Sequence, residues 1–257
     1  MKKVQKALLV LLRAGVWESK IEDLSCFPLS AGEWKNLYLL SRQQTVTGIV
    51  FQGIQHLPEH FLPAEELLVR WMAETDAIER KNIQMNKALE LLVQWFTESG
   101  VQPVLQKGQG IASLYENPLL RECGDIDFYF DSRQMFEKAF SLIRQCGLRG
   151  KVQADQSVTY AWKGVEVEHH TCLLDLHNPF LQRYAKELEQ QYGYNHMSLE
   201  GGQDVRIPSP VLNLLLQSLH ILKHALGWGI GLRQLCDMAR SCYKLHDEVE
   251  SEEMKKI

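Results

Sequence analysis

The chain has 257 residues, of which 45% are hydrophobic and 23% are charged, and its formal net charge is −4. This composition is typical of a soluble globular protein with one large domain or two small ones. The acidic balance argues against a long nucleic acid as a partner, because proteins that bind one usually carry a basic surface. The six cysteines form no CxxC pair, which is typical of reduced thiols in a cytoplasmic protein.

The first apolar segment covers residues 7–12 and follows three lysines, as the start of a secretory signal would. Arg13 interrupts the segment, and no A-x-A-like cleavage site follows closely. Leu8, Leu11 and Leu12 share one face of an amphipathic helix instead. Since no other segment approaches the roughly 18 apolar residues of a membrane span, we expect no membrane association.

Residues 1–99 are predicted to form a helical N-terminal region. One helix is expected from Ala31 to Gln44, and a longer one from Ala64 to Glu98, where apolar side chains recur at helical spacing. Gly100 ends the long helix, as glycine commonly does just beyond the last turn.

Residues 100–178 show a different pattern, typical of a small α/β core. Strands are predicted at 101–105, 126–130, 158–162 and 165–170, and helices at 111–115 and 132–146. Residues 179–257 return to a helical pattern, with helices predicted at 179–192, 209–226 and 230–246. The layout predicts the α/β (α+β) class, with a small mixed sheet flanked along the chain by helical N- and C-terminal regions.

The predicted strand at 126–130 carries the most informative acids of the chain. Because side chains alternate along a strand, Asp125 and Asp127 share one face, and Ile126 and Phe128 point to the other. Two carboxylates so close repel each other at neutral pH unless a cation lies between them or water solvates both. Mg²⁺ typically binds through one or two carboxylates and substrate phosphates. The pair therefore indicates either a magnesium site or a solvated strand face.

A third acid is available on the predicted strand at 165–170. Glu166 and Glu168 alternate with Val165 and Val167, so both would leave the apolar face. One more carboxylate beside the aspartates would complete a two-metal site, which clamps the attacking and leaving oxygens of an in-line displacement. The same pattern also fits a hairpin with a polar outer face.

A glycine turn follows the first predicted strand of the core. Lys107 and Gly108 stand between this strand and a short helix, and a glycine there allows the backbone to approach a phosphate closely. The lysine adds positive charge. The segment lacks the GK[ST] of a Walker A motif, and it also fits an ordinary strand-to-helix turn.

His220 and His224 lie four residues apart on one face of a predicted helix. This spacing can bind Zn²⁺, although the glutamate of the HExxH motif is absent. The two rings could also contact a nucleotide or an acceptor, or serve the packing of the helix.

Together, these motifs resemble the DNA polymerase β-like nucleotidyltransferases. That superfamily has a glycine turn after its first core strand, two aspartates on the next strand and a third acid on a later one. The corresponding residues are Lys107-Gly108, Asp125-Ile126-Asp127 and Glu168. Two features depart from the pattern. Gln109 stands where a second glycine or a serine is usual, and the third acid is Glu, so that Glu166 competes for the role.

A closer resemblance is to a bacterial family of uncharacterised nucleotidyltransferases. Its members show Lys-Gly, Leu-Tyr, a proline and then Arg-x-x-Gly-Asp-Ile-Asp. The matching residues are Lys107-Gly108, Leu114-Tyr115, Pro118 and Arg121–Asp127. An acid-x-His element, a His-rich helix and an Arg/Asp helix follow in the family, as they do here at Glu168–His170, His220–His224 and Arg233–Asp237.

The resemblance implies Mg²⁺-dependent transfer of a nucleoside monophosphate from an NTP to a hydroxyl group of a small-molecule or protein acceptor. Asp125 and Asp127 would hold the Mg²⁺ that binds the NTP phosphates, and with Glu168 they would hold a second Mg²⁺ that activates the acceptor. The nucleotide would contact Lys107, Gly108, Arg121, Gly124, His170, Lys223 and His224. For Arg121, an ion pair with a local acid such as Glu122 is the alternative.

Two other function classes stay open at this point. One is an inactive nucleotide-binding protein of the same fold, against which the intact trio of acids argues. The other is a zinc-dependent hydrolase built on the histidines, which stoichiometric zinc in the purified protein would support.

Overall fold

The computed structural model describes residues 2–176, 178–227 and 229–249. Within them, the chain forms two compact units that each combine separate stretches of sequence. Of the described residues, the first unit contains those up to Ile83 with those of 112–122 and 230–240, and the second contains those of 84–111, 123–229 and 241–249. The described residues form helices and a mixed sheet, so the predicted α/β class is confirmed. The division after residues 99 and 178 stays a prediction.

The described helices are α1 (Lys3–Trp17), α2 (Ala31–Gln43), α3 (Thr47–Ile54), α4 (Glu65–Glu98), α5 (Gly108–Ala112), α6 (Arg133–Gln145), α7 (Pro179–Tyr192), α8 (Pro210–Gly227) and α9 (Leu232–Lys244). Short 3₁₀ helices occupy Glu59–Phe61, Pro118–Leu120 and His246–Glu248. The described strands are β1 (Val104–Gln106), β2 (Ile126–Tyr129), β3 (Lys151–Val152), β4 (Val158–Trp162), β5 (Val165–His170), β6 (Tyr194–Ser198) and β7 (Asp204–Pro208). Among the described residues, no helix has both the length and the apolar character needed to cross a membrane.

In the first unit, α1 and α3 pack with almost no space between their backbones. A Cβ atom added to Gly53 would stand 1.9 Å from the carbonyl oxygen of Leu11. One added to Gly15 would stand 1.8 Å from the carbonyl oxygen of Ile49. Both helices therefore need glycine where they cross, because even an alanine would force the backbones apart.

A buried ion pair joins distant parts of the sequence within the first unit. The guanidinium of Arg121 donates to the carboxylate of Asp237 through Nε at 3.1 Å and through a terminal nitrogen at 2.6 Å. Tyr115 donates its hydroxyl to the same carboxylate at 2.8 Å. Each charged side chain is only 6% exposed, so the two charges depend on each other for compensation.

The second unit contains a sheet with the strand order β3-β4-β5-β2-β1-β7-β6. The pairs β2–β5 and β1–β7 are parallel, and the other neighbours are antiparallel. On one face, Phe128 and His169 pack against Phe96 of α4. On the other face, Val104 and Tyr129 belong to a hydrophobic core with side chains of α7 and α8. The sheet is thus covered on both faces by helices of its own unit.

Sequence patterns do not predict α3 or the hairpin of β6 and β7. The α3 segment contains two glycines and several β-branched residues, which weaken its helix propensity, and its packing against α1 supplies the missing stability. Strands β6 and β7 fall in the region where only helix is expected. Each covers only five residues, and the place of β7 in the sheet depends on its pairing with β1, which is distant in sequence.

We expect Gly53→Ala to lower the free energy of unfolding by about 1–3 kcal/mol or more, since the added methyl group overlaps the backbone of α1. Gly32→Ala is the matched control, because Gly32 also lies in a helix and a Cβ there would meet nothing within 4 Å. The control should leave stability unchanged or raise it by up to about 1 kcal/mol. Urea unfolding measures both variants, and equal midpoints would contradict the close crossing.

Asp237→Asn should lower the free energy of unfolding by about 3–5 kcal/mol, because it leaves the guanidinium of Arg121 buried without its counter-charge. The matched control is Asp76→Asn, which breaks an exposed pair with Arg80 one helical turn away and should cost less than about 1 kcal/mol. Chemical denaturation measures the difference. A loss at Asp237 no larger than the loss at Asp76 would mean that the pair is not desolvated.

Candidate functional site

A row of polar side chains crosses one face of the sheet in the second unit. Gln106 of β1 lies opposite Asp127 of β2, and Asp127 is in register with Glu168 of the parallel strand β5. Thr159 of β4 stands opposite Glu168 and extends the row. Because neighbouring strands are about 4.8 Å apart, the register alone brings the two carboxylates close together.

Asp127, Glu168 and His170 form a group of possible metal ligands among the described residues. One ligand atom from each lies within 4.8 Å of the others. His170 Nε2 is 2.7 Å from a carboxylate oxygen of Asp127 and 3.9 Å from one of Glu168. Two carboxylates and an imidazole are donors that divalent cations take in proteins, so these residues fit such an ion.

Positive charge from the chain offsets this acidic group. Lys107 Nζ lies 3.5 Å from a carboxylate oxygen of Asp127, whose side chain is buried. Burial favours the neutral form of Asp127, but Lys107 and the hydrogen bond with His170 outweigh it and hold the pKa of Asp127 below its ordinary value. Asp127 is therefore ionised at neutral pH and suited to bind a cation.

Lys107 reaches this position from a turn with an uncommon backbone conformation. Lys107 and Gly108 follow β1 directly, and their φ angles are +43° and +36°. The positive φ of Gly108 favours glycine, and a Cβ there would stand in ordinary contact with the carbonyl oxygen of Asp125, at 3.4 Å. The turn also marks the start of α5, which begins at Gly108 and not at residue 111 as the sequence predicts.

Asp125 occupies the segment before β2 and lies outside the group of Asp127, Glu168 and His170 among the described residues. Asp125 is expected in the trio of acids, and the group of possible ligands in the structure contains His170 together with Asp127 and Glu168. Burial and then the charge of Asp127 raise the pKa of Asp125, and Lys107 opposes them. The charges of Asp127 and Lys107 therefore both affect the ionisation of Asp125. Its role as a metal ligand stays a prediction.

Glu168 is held in place by a residue that precedes β4. Ser157, which is buried, donates its hydroxyl to a carboxylate oxygen of Glu168 at 2.6 Å. Glu166, the competing third acid, is exposed and lies outside the group of possible ligands that the described residues form. Local patterns give no reason to single out Ser157, since it meets Glu168 only through the pairing of β4 with β5.

A cavity of about 110 Å³ adjoins these residues in the second unit. The sheet and its turns contribute Gln106, Lys107 and His170 to its lining, and α8 contributes His220 and Lys223. A space of this size holds several water molecules. The cavity therefore offers room for a small polar group beside the candidate metal ligands.

Gln106 is a site residue that the sequence patterns do not predict. The predicted strand ends at residue 105, whereas β1 covers Val104–Gln106. Its pairing with Asp127 turns the Gln106 side chain to the carboxylate face. The signal that could have identified Gln106 is the pairing of β1 with β2, which extends β1 by one residue beyond the predicted strand.

Residues 30–257 match the model of a protein family described as uncharacterised nucleotidyltransferase. The chain belongs to this family. Membership supports a transferase that uses a nucleotide. No curated protein matches the chain. A solved structure, that of an antigenic nucleotidyltransferase-like protein from Paracoccidioides brasiliensis, is similar at 16% identity with a TM-score of 0.45, over 63% of this chain and 76% of that chain.

The surroundings differ for three residues that are expected to contact the nucleotide, Lys223, His224 and Gly124. Lys223 lines the cavity and pairs with Asp175 at 3.0 Å. The ring of His224 lies edge-on to that of His220, with 4.5 Å between ring centroids. Gly124 is exposed, and a Cβ there would meet nothing within 4 Å. Contact between these residues and a nucleotide stays a prediction.

The phosphate contact expected of Arg121 stays a prediction, and in the structure its guanidinium pairs with a carboxylate. Its guanidinium is buried in the first unit and bonded to Asp237 of α9. The Glu122 carboxylate, named as a possible local partner, accepts the backbone N–H of Thr47 at 2.8 Å. A buried arginine needs a buried counter-charge, and α9 supplies one from a distant part of the sequence.

Glu168→Gln should weaken the binding of a divalent cation at least about tenfold, because it removes one of the two carboxylates of the group. Glu166→Gln is the matched control on the same strand, and as an exposed charge it should change the affinity by less than about threefold. Titration calorimetry with Mg²⁺ and with Mn²⁺ measures both variants. A larger loss for Glu166→Gln would make Glu166 the third acid.

Proposed function

We propose that the protein is a Mg²⁺-dependent nucleotidyltransferase of the DNA polymerase β-like superfamily. It would transfer a nucleoside monophosphate from an NTP to a hydroxyl of a small-molecule or protein acceptor and release pyrophosphate. The observation that carries the proposal is the strand register that sets Asp127 beside Glu168, with His170 within ligand distance. Because the chain belongs to a nucleotidyltransferase family, we interpret this acidic group as the site that binds the metal ions.

The acidic residues are suited to hold two Mg²⁺ ions. Asp127 and Glu168 would bind through their carboxylates, and Asp125, whose pKa is raised by burial and by its acidic neighbours, would join them as a third carboxylate. His170 is an alternative third ligand by position. Bound there, the ions would neutralise phosphate charge and polarise the acceptor hydroxyl.

Residues of the glycine turn would position the NTP. Lys107, which lies 3.5 Å from Asp127, is within reach of a phosphate held at that carboxylate. Gly108 leaves the backbone of the turn open to a phosphate, because no side chain stands in the way. The acceptor oxygen would bond to the α-phosphorus while the bond from that phosphorus to the pyrophosphate oxygen breaks. Reactions of this kind depend on positioning and charge neutralisation.

The net charge of the chain bears on the class of acceptor. The formal net charge of −4 disfavours a long nucleic acid, so we propose a small molecule or a protein side chain with a free hydroxyl. The protein would act in the cytoplasm, where its cysteines stay reduced. Nucleotide contacts from Gly124, Lys223 and His224 belong to the same proposal.

Thermal unfolding with each of the four NTPs tests the nucleotide site. With Mg²⁺ present, an NTP at about 100 times its dissociation constant adds about 2.7 kcal/mol to the free energy of unfolding. At this chain length, the midpoint should rise by about 5–10 °C. The rise should vanish without Mg²⁺ and in the double variant Asp125→Asn/Asp127→Asn. The NTP that gives the largest rise identifies the preferred base.

Each rise is measured from the ligand-free midpoint of the same variant, because removing two repelling charges can itself stabilise the protein. Transfer is then followed with the preferred NTP labelled at its α-phosphate, offered with hydroxyl compounds and with the protein itself as acceptors. Label on an acceptor from the wild type, and none from the double variant, is the expected result. A rise without any labelled product would favour binding without turnover, and no rise with any NTP would contradict the proposal.

A further inference from the structure

Gln106 is buried at the cavity without a hydrogen-bond partner for its amide nitrogen. The residue is 2% exposed and lines the cavity of the second unit. Its Nε2 atom meets no acceptor among the described residues, and its partner on the neighbouring strand is Asp127. Gln106 therefore brings a buried, unpartnered N–H donor to the set of residues that line the cavity, and it stands opposite the carboxylate that we assign to a cation.

A buried amide without a partner lowers stability, because it loses its hydrogen bonds to water and gains none in return. The amide nitrogen of Gln217, buried in the same unit, has the partners that such a donor usually finds, although the Oε1 atom of that residue has none among the described residues. Its Nε2 donates to Asn213 at 3.1 Å and to Ser241 at 2.7 Å. Gln106, unlike Gln217, lines a cavity, which gives room for an acceptor on a ligand.

Two lysines of the lining can donate to a negatively charged oxygen as that acceptor. They are Lys107 and Lys223, and each also pairs with a carboxylate, Lys107 with Asp127 and Lys223 with Asp175. The two acids of the lining already accept hydrogen bonds, Asp155 from the backbone N–H of Ser157 at 3.0 Å and Asp175 from Lys223 at 3.0 Å. A phosphate oxygen accepts hydrogen bonds and brings no proton of its own, which matches an amide N–H beside a lysine.

We propose that Gln106 binds the phosphate chain of the nucleotide by donating its Nε2–H to a non-bridging phosphate oxygen, with Lys107 as a second contact. This assignment rests on the proposed function, since it places the phosphates of the NTP in the cavity. The position of Asp127 supports it, because a cation on that carboxylate would hold the same phosphate chain. Binding would give the amide the partner that it lacks in the free protein.

The test compares Gln106→Met with the matched control Gln94→Met. Methionine is close to glutamine in length and volume but cannot donate a hydrogen bond. Gln94 is exposed on α4, where its Nε2 donates to Glu98 at 2.9 Å. Calorimetry in the presence of Mg²⁺ measures the binding of inorganic pyrophosphate, inorganic tripolyphosphate, each NTP and a nucleoside. Thermal unfolding measures the ligand-free midpoints.

Two opposite effects are expected for Gln106→Met. Its ligand-free midpoint should rise by at least about 2 °C, because a buried unpaired donor is gone. Its affinity for pyrophosphate, tripolyphosphate and NTP should fall about tenfold to hundredfold, the effect of a lost hydrogen bond to a charged group. Gln94→Met should change neither quantity. The nucleoside, which has no phosphate, should bind the wild type and Gln106→Met with equal affinity.

Three results would overturn this role of Gln106. A lower ligand-free midpoint for Gln106→Met would mean that the amide supports the fold. Unchanged affinity for pyrophosphate and tripolyphosphate would mean that phosphate is not its ligand, and a loss of nucleoside affinity would assign the amide to the base or the sugar. In these cases, NTP binding by the wild type can still sustain the proposed function. A wild type that binds neither NTP nor the inorganic phosphates contradicts both proposals.

Discussion

The candidate site depends on a repulsion between two carboxylates that the backbone imposes. Asp127 and Glu168 stand in register on the parallel strands β2 and β5, and backbone hydrogen bonds fix the spacing of those strands. The chain balances the repulsion with Lys107 and His170, which keep Asp127 in its charged form. The sheet can therefore hold the acids together before any ion arrives, and a cation finds its ligands already arranged.

Strands β1 and β2 contain the boundary between the hydrophobic core and the site. Val104 and Tyr129 face α7 and α8 in a hydrophobic core, and the residues two positions away on that face are Gln106 and Asp127. A step of two residues along each strand therefore leads from the side chains of the hydrophobic core to those of the site. Because the core keeps water away from one side, the attraction between Lys107 and Asp127 is stronger than it would be at an open surface.

Local patterns in the sequence predict the long helices and the acidic strand: the helix expected at 64–98 is α4, and the strand expected at 126–130 is β2. They fail where distant pairing decides the structure, as for β7 beside β1 and for α3 against α1. In the site, alternation along each strand predicts which side chains share a face, but His170 joins Asp127 only once β2 and β5 are in register. Arg121, expected at a phosphate, pairs with a carboxylate 116 residues away.

The glycine crossing of α1 and α3 bears on how the protein can be shortened. The family match begins at residue 30, and α1 precedes that point. A chain cut at the family boundary would keep α3 but lose the helix that packs over Gly53. Ile49, Val50 and Ile54, all buried in the intact fold, belong to this helix, and any of them uncovered by the cut would promote aggregation. A truncated form made for expression should therefore retain the whole of α1.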